Sequence, residues 1–301
     1  MRYVAALACW LVGSAAFAQA YAPPRAPDGK PDLGGVWTNA TNAPLERPDG
    51  VPLVISREQS AHFDVQTVNG ELRTSLIVDP PDGKLPLRDR ASAMAWRERY
   101  GVYMLGAPQP DFTAGPDTLP NRDRCLMAAN AAAPPMTSQG YNDAYEIVQT
   151  PSYVLIAVEM MDDTRIIPLF ASAAEAMKAH RPKALARWVG DSVGWWEGDT
   201  FVVETENVDQ RQGSQSPMPT SPGATWTERF TRISDGELLY QVEVNDPALY
   251  TRPWKTESSF RPARRIWEYA CHEGNYGMAG ILSGQRKVER DGVRKKKPAK
   301  R

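Results

Sequence analysis

The feature that most constrains the fold is a series of short, alternating apolar segments that begins near Tyr145. About eight of them follow one another up to Cys271, separated by tight-turn signals such as Pro151-Ser152 and Glu197-Gly198-Asp199. Alternation of apolar and polar residues is typical of strands with one buried face. The series therefore predicts an antiparallel meander, and closing that meander into a barrel would remove its exposed edges.

The composition agrees with this reading. The 26 prolines, 22 glycines and nine tryptophans argue against a helical bundle and favour a loop-rich β protein. The segment from Leu33 to Trp37 opens a strand with a glycine-x-tryptophan pattern, which closes one end of lipocalin-type barrels. We therefore predict one all-β domain over residues 21–285, an antiparallel lipocalin-like barrel with an irregular N-terminal wrap. A β-sandwich is the alternative, and helices are predicted at Asp89–Leu105 and Ala171–His180.

The first 20 residues have the pattern of a signal peptide. Arg2 supplies a positive charge, the run from Ala5 to Ala16 is apolar, and Ala18-Gln19-Ala20 matches a small-x-small cleavage site. The apolar run is shorter than the roughly 20 residues that a membrane-spanning helix needs. The sequence thus predicts export, with a periplasmic or secreted location.

The cysteines point to one disulfide bond. Removal of a signal peptide would remove Cys9 and leave Cys125 and Cys271. Two cysteines in an oxidising compartment most simply pair with each other. The alternative is a reactive thiol at Cys271, beside His272.

The C-terminal segment, residues 286–301, is strongly basic. It holds nine lysines and arginines against Glu289 and Asp291, a net charge of +7. With few apolar residues it is predicted to be a disordered basic tail, which could make weak contact with an anionic membrane. The remainder of the chain is acidic, and this argues against a nucleic-acid partner.

Seven motifs distributed along the chain carry a family resemblance: Asp28–Trp37, Arg124–Leu126, Arg165–Leu169, Gly190–Ser192, Trp196–Thr200, Glu228–Phe230 and Tyr269–Tyr276. Together they resemble a family of exported bacterial β-rich, lipocalin-like proteins. The resemblance covers nearly the whole chain after residue 20. It implies export and a β-rich fold but implies no activity. Members of that family tend to have histidine where this chain has Asp162, so any role of that histidine is missing here.

The stretch from Trp267 to Gly277 concentrates polar side chains. It predicts the end of a buried strand, then a half-cystine and a glycine-flanked turn. A histidine, carboxylates and an arginine converging at a barrel mouth could transfer protons on a small substrate. The predicted catalytic residues are therefore His272, Glu273, Glu159 and Arg165. The alternative is a buried salt-bridge network that fixes the barrel.

Other residues near the predicted barrel rim are candidates for ligand binding. Arginine can hold an anionic group and aromatic rings can stack on a ligand. The predicted ligand-binding residues are Trp188, Arg187, Asp191, Asn275 and Tyr276. After residue 20 the histidines are His62, His180 and His272, which are far apart in sequence, so no metal site is predicted. No glycine-rich nucleotide motif occurs, so no cofactor is predicted.

These observations leave three functions open. The leading prediction is an exported protein that binds a small, largely apolar molecule inside a β-barrel. The second is a cofactor-independent enzyme, an isomerase, lyase or hydrolase, using the histidine, glutamate and arginine set. The third is an envelope adaptor that uses its basic tail.

Overall fold

A computed structural model describes residues 21–89, 115, 119–212 and 218–291. The predicted signal peptide, nearly all of the helix predicted at Asp89–Leu105 and the last ten residues lie outside these ranges. Within them the chain forms thirteen strands and two α-helices. The strands are β1 (Gly35–Thr38), β2 (Val54–Ile55), β3 (Gln66–Val68), β4 (Glu71–Arg73), β5 (Ile77–Asp79), β6 (Ala144–Gln149), β7 (Tyr153–Val158), β8 (Thr164–Pro168), β9 (Asp191–Glu197), β10 (Thr200–Glu206), β11 (Thr225–Ser234), β12 (Glu237–Asn245) and β13 (Trp254–Pro262), and the helices are α1 (Ala173–Lys178) and α2 (Tyr276–Arg290).

Nine strands form one antiparallel sheet in the order β8-β7-β6-β1-β13-β12-β11-β10-β9, and β5 pairs with part of β13. The two ends of this order meet. Leu169, just after β8, forms a parallel bridge with Gly194 of β9, and the Phe170 N–H donates to the Gly194 carbonyl at 2.9 Å. The sheet is therefore a nearly closed barrel, which confirms the predicted all-β antiparallel fold.

Strand β1 has a position that the predicted meander does not include. Trp37 of β1 pairs with Tyr145 of β6 on one side and with Pro262 of β13 on the other. The strands β6–β8 and β9–β13 are two separate meanders, and β1 joins them. The barrel therefore consists of two meanders connected by β1, and not of the single continuous meander that the sequence predicts.

The barrel interior is filled by the protein's own side chains. Inward-facing rings form a continuous series with centroids 4.8–5.9 Å apart: Trp196, Phe201, Phe230, Tyr240, Phe260 and Tyr145. Residues 127–136, here called the plug segment, are all buried against them. The Tyr145 hydroxyl donates to the Ala131 carbonyl at 3.1 Å, and the Met136 N–H donates to the Tyr240 hydroxyl at 3.0 Å. The plug segment thus takes the place that a ligand would have in an open barrel.

Gly194 allows the barrel to close. A Cβ atom at this position would lie 2.7 Å from the Phe201 ring and 3.0 Å from the Ile167 side chain. Real Cβ atoms do not approach other atoms so closely in a well-packed interior. Glycine therefore lets β9 come close enough to the end of β8 to form the closing bridge.

A small sheet of β2, β4 and β3 covers part of the outer wall. The Gln66 side chain donates to the Glu257 carbonyl at 2.9 Å, and the Arg261 guanidinium donates to the Thr67 carbonyl at 2.8 Å. These bonds attach the segment between β1 and β6 to β13. This segment is the predicted irregular wrap.

The C-terminal part differs from its prediction in two respects. Residues 266–271, predicted as a strand, lie outside the sheet, and Trp267 is 57% exposed rather than buried. Helix α2 continues to Arg290, so residues 286–290 of the predicted disordered tail are helical. The helix predicted at Ala171–His180 is present as α1. In the described part of the chain, no helix has the length and apolar character needed to span a bilayer.

Candidate functional site: the seam pocket

A pocket of about 350 Å³ lies where β8 and β9 separate. A single bridge joins these strands at Leu169 and Gly194, so the remaining lengths diverge and leave a gap in the barrel wall. We call this gap the seam pocket. Its most prominent lining residues are Tyr153, Arg165, Ile166, Arg181, Arg187 and Asp191.

Arg165 reaches the seam pocket from inside the barrel. On β8, alternation directs Arg165 and Ile167 inward and leaves Ile166 outside. The guanidinium forms a two-pronged ion pair with Glu228 of β11, with an Nη1 to Oε1 distance of 2.9 Å. Both side chains are almost completely buried, at 1% and 0% exposure. The pair therefore crosses the interior behind the seam.

Three hydroxyl groups complete this network. Arg165 Nη2 donates to Ser192 Oγ at 3.0 Å and to Thr205 Oγ1 at 3.1 Å. The Tyr240 hydroxyl donates to Glu228 Oε1 at 2.7 Å. Every donor in this network has an acceptor except Arg165 Nε, which has no hydrogen-bond partner within the described ranges.

The charges of the network are well defined. Burial alone would lower the pKa of Arg165, but the charge and hydrogen bonds of Glu228 outweigh it and raise the pKa above its ordinary value. Burial, followed by the Glu228 charge, raises the pKa of Tyr240 well above its usual range. Arg165 is thus a fixed cation, and Tyr240 stays a neutral donor.

A second cluster supports the seam pocket from the outer face of the sheet. His180, which follows α1, lies between two buried carboxylates: its Nδ1 is 3.0 Å from Asp191 Oδ2, and its Nε2 is in ion-pair contact with Glu204. The Arg181 N–H also donates to Asp191 Oδ2, at 2.8 Å. Burial would lower the pKa of His180, but Glu204 and Asp191 raise it to about 9. His180 is therefore an imidazolium at neutral pH and is unsuited to act as a general base.

This charged state makes stability dependent on alkaline pH. The folded-state pKa of about 9 lies above the ordinary value of about 6.5. The stabilisation is complete below pH about 6.5 and is lost as pH rises through about 9. We expect the stability difference between wild type and His180→Gln to shrink by about 1–2 kcal/mol from pH 7 to pH 10, allowing for partial solvent screening. Urea unfolding at each pH measures it.

The exposed His62 provides the matched control for this experiment. The variant His62→Gln lacks a histidine but keeps the His180 cluster. Its stability is expected to follow that of the wild type across the same pH range. A difference between wild type and His180→Gln that stays constant from pH 7 to pH 10 would refute the role given to His180.

The seam pocket is lined by more cations than carboxylates, although the charge of Arg165 is neutralised by Glu228 behind the wall. Three guanidinium groups line it, from Arg165, Arg181 and Arg187, against the single carboxylate of Asp191. That carboxylate already interacts with His180 and Arg181. The Arg187 side chain is exposed and has no ion-pair partner among the described residues. The pocket can therefore receive a negatively charged group.

The structure brings three of the predicted site residues together in the seam pocket: Arg165, Arg187 and Asp191. Trp188 follows Arg187 but is not part of the pocket lining. Its ring lies under the guanidinium of Arg211, with the Arg211 Cζ 4.6 Å from the ring centroid.

The other predicted residues lie in different surroundings. Glu159 is buried just after β7, where it accepts from the Asn142 amide at 2.8 Å instead of pairing with Arg165. His272 and Tyr276 are exposed, Tyr276 at 84%. Within the described ranges, no hydrogen bond or ion pair joins His272 to Glu159 or Arg165, which have other partners.

The predicted disulfide between Cys125 and Cys271 is present, with an S–S distance of 2.07 Å and a Cα–Cα distance of 5.7 Å. The alternative of a reactive thiol at Cys271 is therefore wrong. Beside the bridge lies a cleft of about 560 Å³, whose lining includes the predicted residues Glu273 and Asn275. Asn275 donates to the Asp123 carbonyl at 3.1 Å, so its amide helps to hold this turn.

The sequence prediction did not include four side chains of these two clusters: Glu228, Glu204, His180 and Arg181. A signal for Glu228 exists, because alternation on β11 places it on the same face as Trp226 and Phe230. A carboxylate on a buried face needs a cation. No comparable signal marks His180, whose partners come from two later strands.

Comparison with protein-family models, with curated proteins and with solved structures finds no match for this chain. Among the described residues, no group of three or more histidine, cysteine, aspartate or glutamate side chains is arranged to hold a metal ion. The chemistry that the site could support is therefore inferred from its side chains alone.

Proposed function

We propose that this protein is an exported binding protein for a small organic anion, which it holds in the seam pocket. One observation carries the proposal: Arg165 lines the pocket, is almost fully buried, and its Nε–H has no hydrogen-bond partner among the residues that the structure describes. An unsatisfied buried donor costs about 1–3 kcal/mol. Nε itself is buried, so an acceptor atom of a ligand would remove that cost after a small movement of the Arg165 side chain.

Charge and shape favour an anion with an apolar part. The guanidinium groups of Arg181 and Arg187 stand at the pocket and suit carboxylate or phosphate oxygens. The apolar part of the pocket comes from Tyr153 and Ile166, which are 49% and 61% exposed. A volume of about 350 Å³ is within the usual range for small-molecule sites.

The proposed site differs from the one that the sequence suggests. A ligand inside the barrel would have to displace the plug segment, which is hydrogen-bonded to Tyr145 and Tyr240. The seam pocket needs no such displacement because it opens through the wall. The proposal therefore keeps the small-molecule ligand and moves it from the interior to the seam.

The proposed location is the periplasm or the exterior of the cell. The Cys125–Cys271 bridge suits an oxidising compartment. The signal-like pattern of residues 1–20 supports the same location.

Octanoate is a suitable probe, with 1-octanol as its uncharged analogue. We expect octanoate to bind and octanol to bind at least about tenfold more weakly, because the loss of a charge-assisted hydrogen bond costs about 1.5–3 kcal/mol. The variant Arg187→Gln is expected to weaken octanoate binding by about tenfold. Isothermal titration calorimetry measures both effects.

The control is Arg252→Gln. Arg252 is an exposed arginine paired with Asp79, outside the residues that line the seam pocket. This variant should bind octanoate like the wild type. Equal binding of octanoate and octanol, or equal loss in both arginine variants, would contradict an anion site in the seam.

A further inference from the structure

Strand β8 has a backbone edge that faces the seam. It is a terminal strand of the sheet order, and within the described ranges only β7 pairs with it along its length. Just after β8, the Leu169 N–H donates to the Ser152 carbonyl at 2.9 Å. Residues of an antiparallel pair alternate between bonded and unbonded positions. The odd-numbered residues of β8 therefore bond to β7, and the N–H and C=O groups of Thr164 and Ile166 point into the seam.

This edge is open to a partner strand. Pro168 occupies the same alternate position as Thr164 and Ile166, so the N–H that proline lacks would face the seam and not β7. Thr164 and Ile166 are both exposed, and the part of the chain that the structure describes makes no hydrogen bond to their four seam-facing groups. On β9, alternation from the Gly194 carbonyl makes Ser192 the seam-facing residue, and it is half-buried. The accessible edge is therefore that of β8.

The side chains around this edge suit the end of a peptide chain. Arg187 lines the same pocket, is exposed and has no ion-pair partner among the described residues, so its guanidinium can hold a carboxylate. Alternation places Tyr153 and Ile166 on the outer face of β7 and β8, where an apolar side chain can pack against them. In strand addition, a sheet edge provides main-chain hydrogen bonds and the neighbouring pocket contacts alternate side chains.

We propose that the seam pocket binds the C-terminal end of an extended peptide, which adds to β8 as a short strand and places its carboxylate at Arg187. This inference rests on the anion-binding function proposed above and names the class of its ligand. The peptide would lie about 4.8 Å from β8 and exchange main-chain hydrogen bonds with Thr164 and Ile166. Because β8 has five residues and the closing bridge follows directly, the edge accepts only a few peptide residues.

The probe is the peptide acetyl-Thr-Val-Thr-Val, whose β-branched side chains favour an extended chain. Isothermal titration calorimetry with the wild-type protein compares its free carboxylate form with its C-terminal amide. We expect the amide to bind at least about tenfold more weakly, because it loses a charge-assisted hydrogen bond.

Methylation of single peptide nitrogens tests the strand itself. Adjacent N–H groups of an extended chain point to opposite sides, so only one of them can donate to β8. Methylation of the second or of the third residue's nitrogen should therefore have unequal effects. One of the two peptides is expected to bind about fivefold more weakly, and the other like the unmethylated peptide.

Two variants of Ile166 test the edge from the side of the protein. Ile166→Pro removes the N–H that faces the seam without removing a bond to β7, and it should weaken peptide binding about fivefold more than octanoate binding. The matched control Ile166→Ala keeps this N–H and shortens the side chain, so it should weaken both probes to the same extent. Thermal unfolding shows whether both variants are folded.

The outcomes separate this inference from the anion site. Binding of octanoate without binding of the peptide would overturn the inference and leave the anion site standing. Equal effects of the two methylations, or equal binding of the carboxylate and amide forms, would also overturn it, because the first excludes a paired strand and the second excludes recognition of the C-terminus. Absence of binding by both octanoate and the peptide would refute both proposals.

Discussion

Replacement of Glu228 by glutamine is expected to lower the free energy of unfolding by about 3–5 kcal/mol. The change leaves Arg165 buried without its counter-charge, and a guanidinium cannot become neutral by losing a proton. The Tyr240 hydroxyl also loses its charged acceptor. Urea unfolding at neutral pH measures the loss, with wild type and variant at equal concentration.

Two further variants decide the cause of that loss. Glu243→Gln removes an exposed carboxylate that pairs with Lys255, and it should cost at most about 1 kcal/mol. The double variant Arg165→Met, Glu228→Leu replaces the whole ion pair with apolar side chains and should recover much of the lost stability. A loss below about 1 kcal/mol for Glu228→Gln would show that the pair is not isolated from solvent.

Removal of the disulfide is expected to lower the free energy of unfolding by about 2–5 kcal/mol. The bridge joins residues separated by 146 positions, and a loop of this length greatly restricts the unfolded chain. The double variant Cys125→Ser, Cys271→Ser tests this expectation by urea unfolding. The barrel strands should remain, because their hydrogen bonds do not depend on the bridge.

Addition of a reducing agent provides the internal control. It should lower the stability of the wild type toward that of the double variant and leave the double variant unchanged. The expectation fails if both proteins are equally stable, or if unreduced wild type, once denatured, titrates with free thiols at Cys125 and Cys271.

The sequence predicts the strands of the barrel well where the pattern is local. In β12, alternation alone identifies Leu238, Tyr240 and Val242 as the inward side chains. The position of β1 in the sheet could not be predicted in this way. Its neighbouring strands are distant in the sequence, and the pattern of its four residues does not identify them. Pairing over such distances is decided by tertiary packing rather than by local preference.

In the segment after β13, β propensity predicts a strand that the structure does not contain. Trp267 and Tyr269 have high β propensity, and this favours a final strand over residues 266–271. The Tyr269 N–H instead donates to the Asp162 carboxylate at 3.2 Å, and Cys271 is fixed by the disulfide. These tertiary contacts hold the segment outside the sheet.

The site was predictable only in part, for a similar reason. Arg165 and Arg187 are identifiable as cations near the rim, but the partner of Arg165 is not. Glu159 is close in sequence, whereas Glu228 is the buried partner, because the two strands face each other across the interior. Alternation shows that Glu228 faces inward, yet it does not show which cation it meets.

The position of β1 has a consequence for how the protein is made. Trp37 pairs with Pro262, so β1 lacks its second neighbour until β13 has been synthesised. Contacts of such long sequence separation slow folding. A chain interrupted before β13 would leave β1 and β12 with unpaired edges, where aggregation begins. Synthesis of this protein therefore favours an environment that keeps the growing chain unfolded until β13 is available.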